Sequence, residues 1–172
     1  SGGRENSLAW AISKCSGIDS IFIAPGNAGS NFSLCKGLEI SESSSNDLLK
    51  ICKEKSIDLV IIGGERPLAD GLADFLREKN ISVFGPGADG AKIESSKRWA
   101  KELMKEANIP TANYWTTNNK QEAFEIIKEV NKPLVVKADG LAAGKGVTVC
   151  NSIIETKNAI AEVFDGKFGE AG

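Results

Sequence analysis

The residues best suited to chemistry in this 172-residue chain form one continuous run, Val135-Val136-Lys137-Ala138-Asp139-Gly140-Leu141-Ala142-Ala143-Gly144-Lys145-Gly146-Val147. A β-branched segment delivers Lys137, a turn of glycine and alanine follows, and the chain returns as a second apolar segment. Small residues let a backbone close over a polyphosphate and leave its amides free to donate to the oxygens. Lys137 and Lys145 would add charge-assisted contacts. The plainer alternative is a flexible hairpin loop with two solvated lysines. The pattern is not a Walker loop, because Gly146 rather than Ser or Thr follows Lys145 and the loop joins two strands instead of opening a helix.

Two further constellations carry charge. Lys97, Lys101 and Lys105 are spaced i, i+4, i+8 and so share one helical face, either as phosphate contacts or as a solvated basic stripe. Gly2, Gly3, Arg4 and Glu5 form a glycine turn entering a helix, where backbone amides make a natural anion site. A dinucleotide fingerprint would want a further glycine where Glu5 or Asn6 stands, and a tight turn with a capped helix is the equal alternative. Histidine is absent, which removes Ser-His-Asp catalysis, histidine-based zinc sites and a histidine general base. The four cysteines, Cys15, Cys35, Cys52 and Cys150, show no C-x-x-C spacing and read as buried free thiols of a reduced, cytoplasmic protein.

These groups need elements to hold them. PLVVKADG reads as a strand and VTVC as its hairpin partner. Ser95 to Ala107 reads as the lysine-bearing amphipathic helix, closed by Asn108-Ile109-Pro110, and two more helices are expected over about Lys120 to Val130 and Glu155 to Phe164. In the first half, Ser20 to Ala24 and Asp58 to Gly63 are short β-branched runs suited to strands buried on both faces of a parallel sheet. Ile81 to Pro86 is a third strand. Between them lie helices over Asn46 to Lys55, capped by Asn46 or Asp47, and over Leu68 to Lys79, with Leu72, Phe75 and Leu76 aligned. Strand and helix alternate as in a βαβ sheet with right-handed crossovers. The helix expected over Glu5 to Cys15 has no strand before it, so the chain is read as an amino-terminal fragment that begins just after a missing first strand. SESSSN, residues 41–46, is expected to be a surface loop.

Composition narrows the partners. Hydrophobic residues are 41%, charged residues 26%, and the formal net charge is −2, the balance of an ordinary globular protein with no basic face for nucleic acid. There is no apolar run of about eighteen residues, so no membrane span is expected. The opening SGGRENSLAW lacks the basic and apolar halves of a signal peptide.

The glycine-rich run resembles the phosphate-covering loop of the ATP-grasp enzymes, and KADGLAAGKGV is especially similar to the phosphoribosylamine–glycine ligase family. GGRENSLAW resembles that family's GGREHALAW, and Ala24 to Gly29 (APGNAG), Glu65 to Leu68 (ERPL), VFGP and the stretch from Ser96 to Ala112 have counterparts in order and spacing. The resemblance covers essentially the whole chain. It implies a Rossmann-like, parallel-sheet pre-ATP-grasp domain over residues 1–95, followed by the beginning of an ATP-grasp domain over 96–172. The activity it implies is ATP-dependent joining of glycine to 5-phosphoribosylamine in purine biosynthesis, through a glycyl phosphate and without a covalent enzyme nucleophile. By the same resemblance Lys101, Lys137, Asp139, Gly140, Leu141, Ala142, Ala143, Gly144, Lys145 and Gly146 bind ATP, with Lys101 and Lys137 favoured over Lys97 and Lys105. Gly2, Gly3, Arg4, Glu5, Asn27 and Glu65 receive the phosphoribosylamine. The ligands for Mg2+ or Mn2+ are expected beyond Gly172, so the 172 residues alone are expected to be inactive. Asn6 stands where the family has His, Gly64 where it has Pro and Ser95 where it has Gly, and Gly64 puts the contacts of Glu65 in doubt. Another ATP-grasp carboxylate–amine ligase, or a non-catalytic nucleotide-binding module, is the alternative.

Overall fold

The computed structural model describes residues 2–142 and 144–169. It divides into two compact units, Ser1–Ala91 and Lys92–Gly172.

The first unit runs α1 (Gly3–Ile12), β1 (Ile21–Ile23), β2 (Cys35–Gly37), α2 (Ser45–Glu54), β3 (Val60–Ile61), α3 (Glu65–Ala69), α4 (Leu72–Glu78) and β4 (Val83–Phe84). Both of its ladders are parallel, as the alternation of strand and helix predicts. Ile21, Phe22 and Ile23 pair with Cys35, Lys36 and Gly37, and Val60 and Ile61 pair with Val83 and Phe84. The β3–β4 crossover is made by α3 and α4, the connection that parallel strands require. Ala9 of α1, Ile23 and Cys35 form one buried cluster, with Ile21 and Phe32 packed on it. Leu72, Ala73 and Leu76 of α4 and Cys52 of α2 are buried as well.

Several features differ from expectation. The partner of β1 is Cys35–Gly37, a segment with no β-branched residue, drawn into register where Cys35 packs against Ala9 and Ile23. The described strands form separate two-stranded ladders rather than one sheet. Leu59, Ile61 and Phe84 are exposed, so these strands are not covered on both faces within this unit. The helix expected over Leu68 to Lys79 is broken at Gly71, whose φ of +83° interrupts the helical turn between α3 and α4.

Helix α5 (Ala88–Ser95) carries the chain onward. The second unit contains α6 (Lys97–Glu106), α7 (Lys120–Val130), β5 (Val135–Lys137), β6 (Val147–Val149) and α8 (Ile153–Phe164). Its helices start at side chains that accept backbone N–H bonds: Ser96 from Trp99, Asn119 from Gln121 and Glu122, and Ser152 from Glu155. Ala123 and Ile127 of α7 and Ile160 of α8 are buried together under Phe124, Leu134, Val136, Ile153 and Phe164. Thr156, fully buried, donates its hydroxyl to the Ser152 carbonyl (2.9 Å) and accepts from the Leu134 N–H (3.2 Å), stitching α8 to the entry of β5.

Strands β5 and β6 form the expected antiparallel hairpin, with Val135 opposite Val149 and Lys137 opposite Val147. Alternation therefore sends Val136 toward the helices and places Val135, Lys137, Val147 and Val149 together on the other face. That face is open: Val135, Val147 and Val149 are 50%, 43% and 69% exposed. All four cysteines are free, but Cys15 is exposed, against the expectation that every thiol is buried, because it lies just past the end of α1.

Candidate functional site

The glycine-rich loop sits at the end of the hairpin, and its base is tied. The Ala138 N–H donates to the Gly146 carbonyl (2.8 Å), one step beyond the Lys137–Val147 pair. Ala138 is buried, and a Cβ on Gly146 would come within 2.7 Å of the Ala142 Cβ, so this crossing requires glycine. Beyond the base, Gly140 and Gly144 take φ of +88° and +77°, conformations that cost other residues energy. Lys145 N–H closes a turn onto the Ala142 carbonyl (2.9 Å). Leu141 and Ala142 are half-buried, Gly144 and Lys145 exposed, and Ala143 lies outside the described residues. Among the described residues the Lys137 and Lys145 ammonium groups have no hydrogen-bond or ion-pair partner.

Leu141 is the loop's one large apolar side chain, and glycines make its ordered state entropically costly. Backbone amides over Gly140 to Gly146 are therefore expected to exchange rapidly with deuterium in the free protein and to gain protection when ATP and Mg2+ are added to the complete protein. Full protection without nucleotide, unchanged by ATP, would mean a rigid hairpin.

Asp139 faces the start of α6. Its carboxylate accepts from the Lys97 N–H (2.6 Å), the Arg98 N–H (3.2 Å) and the Ser96 hydroxyl (3.1 Å). Helix α6 has no acidic residue in its first turn, so Asp139 supplies from a distant part of the chain the negative charge that a helix N-terminus favours. Lys97 answers by donating its ammonium to the Gly140 carbonyl (2.7 Å). Burial pushes the Asp139 carboxyl up, but the bonds from Arg98, Ser96, Lys97 and Gly140 outweigh it and hold the carboxyl below its usual range. A lowered folded-state pKa stabilises the fold above the unfolded value of about 3.9 and loses that contribution as pH falls through the folded value. The stability advantage of the wild type over Asp139→Asn is thus expected at neutral pH and is lost as pH falls through the lowered folded value, as acid titrations of the two proteins would show. Loss of a helix cap costs about 1 kcal/mol, too little to unfold a unit built on the α7–α8 core.

Lys101, one turn along α6, donates to the Thr111 hydroxyl (2.5 Å) and the Ala112 carbonyl (3.2 Å), with its ammonium 5.6 Å from the centre of the Tyr114 ring. The lysine stripe is therefore divided: Lys97 joins α6 to the glycine-rich loop, and Lys101 joins it to the segment that follows the helix.

In the first unit the expected substrate residues gather around the start of α1. The Arg4 guanidinium donates to the Gly63 carbonyl (2.7 Å) and to Glu65 Oε1 (3.1 Å). The Glu65 carboxyl is lowered by its own backbone N–H and by the Arg4 hydrogen bond. Gly2 donates its N–H to Glu5 Oε2 (2.6 Å), so an incoming anion meets that amide in competition with Glu5. Gly3 opens α1. Gly64, which precedes α3, is steadied by the Arg4 bond to its neighbour Gly63.

Asn27 organises its own loop. Its Oδ1 accepts from the Asn6 Nδ2 (3.2 Å) and the Gly29 N–H (2.8 Å), while its N–H donates to the Ser30 hydroxyl (2.8 Å). Ser30 is fully buried and its hydroxyl lies within reach of both Asn6 Oδ1 and Asn27 Oδ1. Ser30, Ser96 and the loop-directed role of Lys97 escaped the sequence reading. Nothing local marks Ser30, whereas Ser96, at the head of the lysine-rich helix, is of a residue type that caps helices and could have been taken as its cap. Among the described residues no group of three or more carboxylates or thiols could hold a metal ion, and no helix is long and apolar enough to cross a membrane.

Comparison with known proteins covers the whole chain. Residues 1–94 match the family described as phosphoribosylglycinamide synthetase, N domain, and residues 95–172 match its ATP-grasp (A) domain. The phosphoribosylamine–glycine ligase of Nostoc sp. is 42% identical over 172 residues, spanning 99% of this chain and 40% of that protein. The enzyme of the same name from Mesorhizobium japonicum is 44% identical over 174 residues, spanning 100% of this chain and 40% of that one. Among solved structures, phosphoribosylamine–glycine ligase from Thermotoga maritima superposes with a TM-score of 0.72 at 34% identity, over 99% of this chain and 39% of that one. The biotin carboxylase domain of Hydrogenobacter thermophilus 2-oxoglutarate carboxylase, solved with MgADP, ADP and bicarbonate, gives a TM-score of 0.58 at 26% identity, over 74% of this chain and 30% of that one. This chain thus spans about 40% of the length of the curated relatives it matches.

Proposed function

This chain belongs to the phosphoribosylglycinamide synthetase family, and from that premise we propose that it forms part of an ATP-dependent ligase joining glycine to 5-phosphoribosylamine. The products are glycinamide ribonucleotide, ADP and phosphate. The amino-terminal domain, over residues 1–95, receives the ribosylamine around Gly2, Gly3, Arg4, Glu5, Asn27 and Glu65. The nucleotide domain begins at residue 96.

One observation carries the reading. Lys137 shares the open face of the hairpin with Val135, Val147 and Val149, at the mouth of a glycine-rich loop that bears Lys145. An apolar face beside unpartnered cations and pliable amides suits a nucleotide, whose base is apolar on its flat sides and whose phosphates are anionic.

The chemistry follows from the weakness of a carboxylate as an electrophile. A glycine carboxylate oxygen attacks the γ-phosphorus of ATP, the bond to the bridging oxygen breaks, and ADP departs. The amine of phosphoribosylamine then attacks the carbonyl carbon of the glycyl phosphate, phosphate leaves with the former carboxylate oxygen, and the amine proton passes to solvent or to departing phosphate. Neither step needs an enzyme nucleophile or a histidine. Lys137, Lys145 and the loop amides hold the polyphosphate, place its terminal phosphorus and exclude water from the acyl phosphate. A divalent ion, Mg2+ or Mn2+, would supply further neutralisation of the polyphosphate. A cytoplasmic setting accords with four free thiols.

ADP release by the complete protein tests the proposal. Release should require glycine and phosphoribosylamine together and yield a product with the mass of glycinamide ribonucleotide. ADP release driven by another carboxylate–amine pair, with none from this one, would assign a different ligase.

A further inference from the structure

Lys101 and Lys137 lie on different elements, and something must fix helix α6 against the hairpin if both are to meet one nucleotide. We propose that Asp139, with Lys97, is a positioning pair that locks the N-terminus of α6 to the base of the glycine-rich loop, and that Asp139 acts through this lock rather than by touching the nucleotide. The inference rests on the nucleotide-binding reading of the loop.

Three observations converge. The Asp139 carboxylate directs its bonds to α6, taking two backbone N–H groups and a hydroxyl from Ser96, Lys97 and Arg98, 41 to 43 residues away in sequence. The return bond from Lys97 Nζ to the Gly140 carbonyl is part-buried and seizes the first glycine of the loop, whose φ is +88°. Asp139 is itself two residues from Lys137 and follows Ala138, which is 1% exposed and bonded to Gly146. The lock therefore joins the end of β5 to the start of α6, at the tied base of the glycine-rich loop.

The chemistry of the site favours an indirect role. An anion aimed at a polyphosphate would repel it, whereas an anion turned onto a helix N-terminus flanked by Lys97 and Arg98 neutralises local positive charge. Lys97, held at Gly140, orients the loop from behind while Lys137 and Lys145 face outward. Ser96 then has a double duty, capping α6 through Trp99 and donating to Asp139.

The test uses the complete protein with Asp139→Ala, Asp139→Asn and Lys97→Met. Deuterium exchange without nucleotide comes first: the Lys97 and Arg98 amides, which donate to Asp139, should exchange at least tenfold faster in Asp139→Ala, whether or not ATP is the ligand. Steady-state kinetics come second. Asp139→Ala should raise the KM for ATP by on the order of tenfold to a hundredfold, as expected when a reacting group loses its fixed placement, and leave the KM for glycine within about twofold. Asp139→Asn, which keeps one accepting oxygen, should recover part of the loss. A merely structural defect would instead lower the active fraction and kcat with KM unchanged, and that result would overturn the proposal. If Asp139→Ala does not fold, Lys97→Met takes its place, because it cuts the bond to Gly140 and leaves the helix cap intact. An unchanged ATP KM in Lys97→Met would then overturn the lock. Failure of the wild type to bind ATP would sink the nucleotide reading itself, while normal binding by wild type and Asp139→Ala alike would sink only the lock.

Discussion

Replacing Lys137 with alanine is expected to weaken ATP binding by the complete protein by about 1.5–3 kcal/mol, the contribution of one hydrogen bond to a charged group. The side chain is exposed at the end of β5 and is not needed to hold the described residues together. Its loss should therefore leave the fold intact and act on the nucleotide alone. Titration calorimetry reads the effect directly. Unchanged affinity would show that Lys137 is a solvated hairpin lysine. Lys101→Ala makes the instructive contrast, since it also releases Thr111, Ala112 and Tyr114 and should disturb structure and binding together.

The largest stability effect is expected in the core of the second unit. Ile127 is 1% exposed and touches the cluster that joins α7, α8 and β5. Truncation to alanine removes apolar contacts and leaves a void, at a cost of about 2–5 kcal/mol. Ile127→Val should cost only about 0.5–1.5 kcal/mol. Denaturant unfolding of the two variants, followed by far-ultraviolet dichroism, measures the difference. If alanine costs no more than valine, neighbouring Phe124 and Phe164 have collapsed into the space and the core is looser than its burial indicates. Such a core matters for function because it is the platform against which the hairpin holds Lys137.

Elements with strong local signals were legible from the residues. Lys120–Val130 combines an Asn cap with a regular apolar face, and its bounds match the expected ones. The β5–β6 hairpin follows from two β-branched runs around a glycine turn. The signals failed where distant residues decide. Cys35–Gly37 pairs with β1 for reasons that lie in Ala9 and Ile23, and the break at Gly71 could not be separated from a tolerated helical glycine by periodicity alone. At the site, residue types singled out lysines and glycines as candidates, but not the bonds they make. Asp139 read as one more residue of the phosphate loop, and only the folded chain shows its carboxylate turned to α6. For Asn27, too, only the folded chain shows that its carboxamide oxygen accepts from Asn6 and Gly29. Side-chain direction depends on the backbone geometry of both partners, which spacing in one segment does not encode.

We propose above that the complete protein activates glycine as an acyl phosphate on ATP held by the glycine-rich hairpin. The most direct test is oxygen transfer. Glycine labelled with 18O in both carboxylate oxygens is turned over by the complete protein with ATP and phosphoribosylamine, and the phosphate is analysed by mass spectrometry. The mechanism predicts a single 18O in each phosphate released, with the second label retained in the amide carbonyl of the product. Phosphate free of 18O, formed alongside glycinamide ribonucleotide, would contradict it, because no glycine oxygen would then have been bonded to phosphorus.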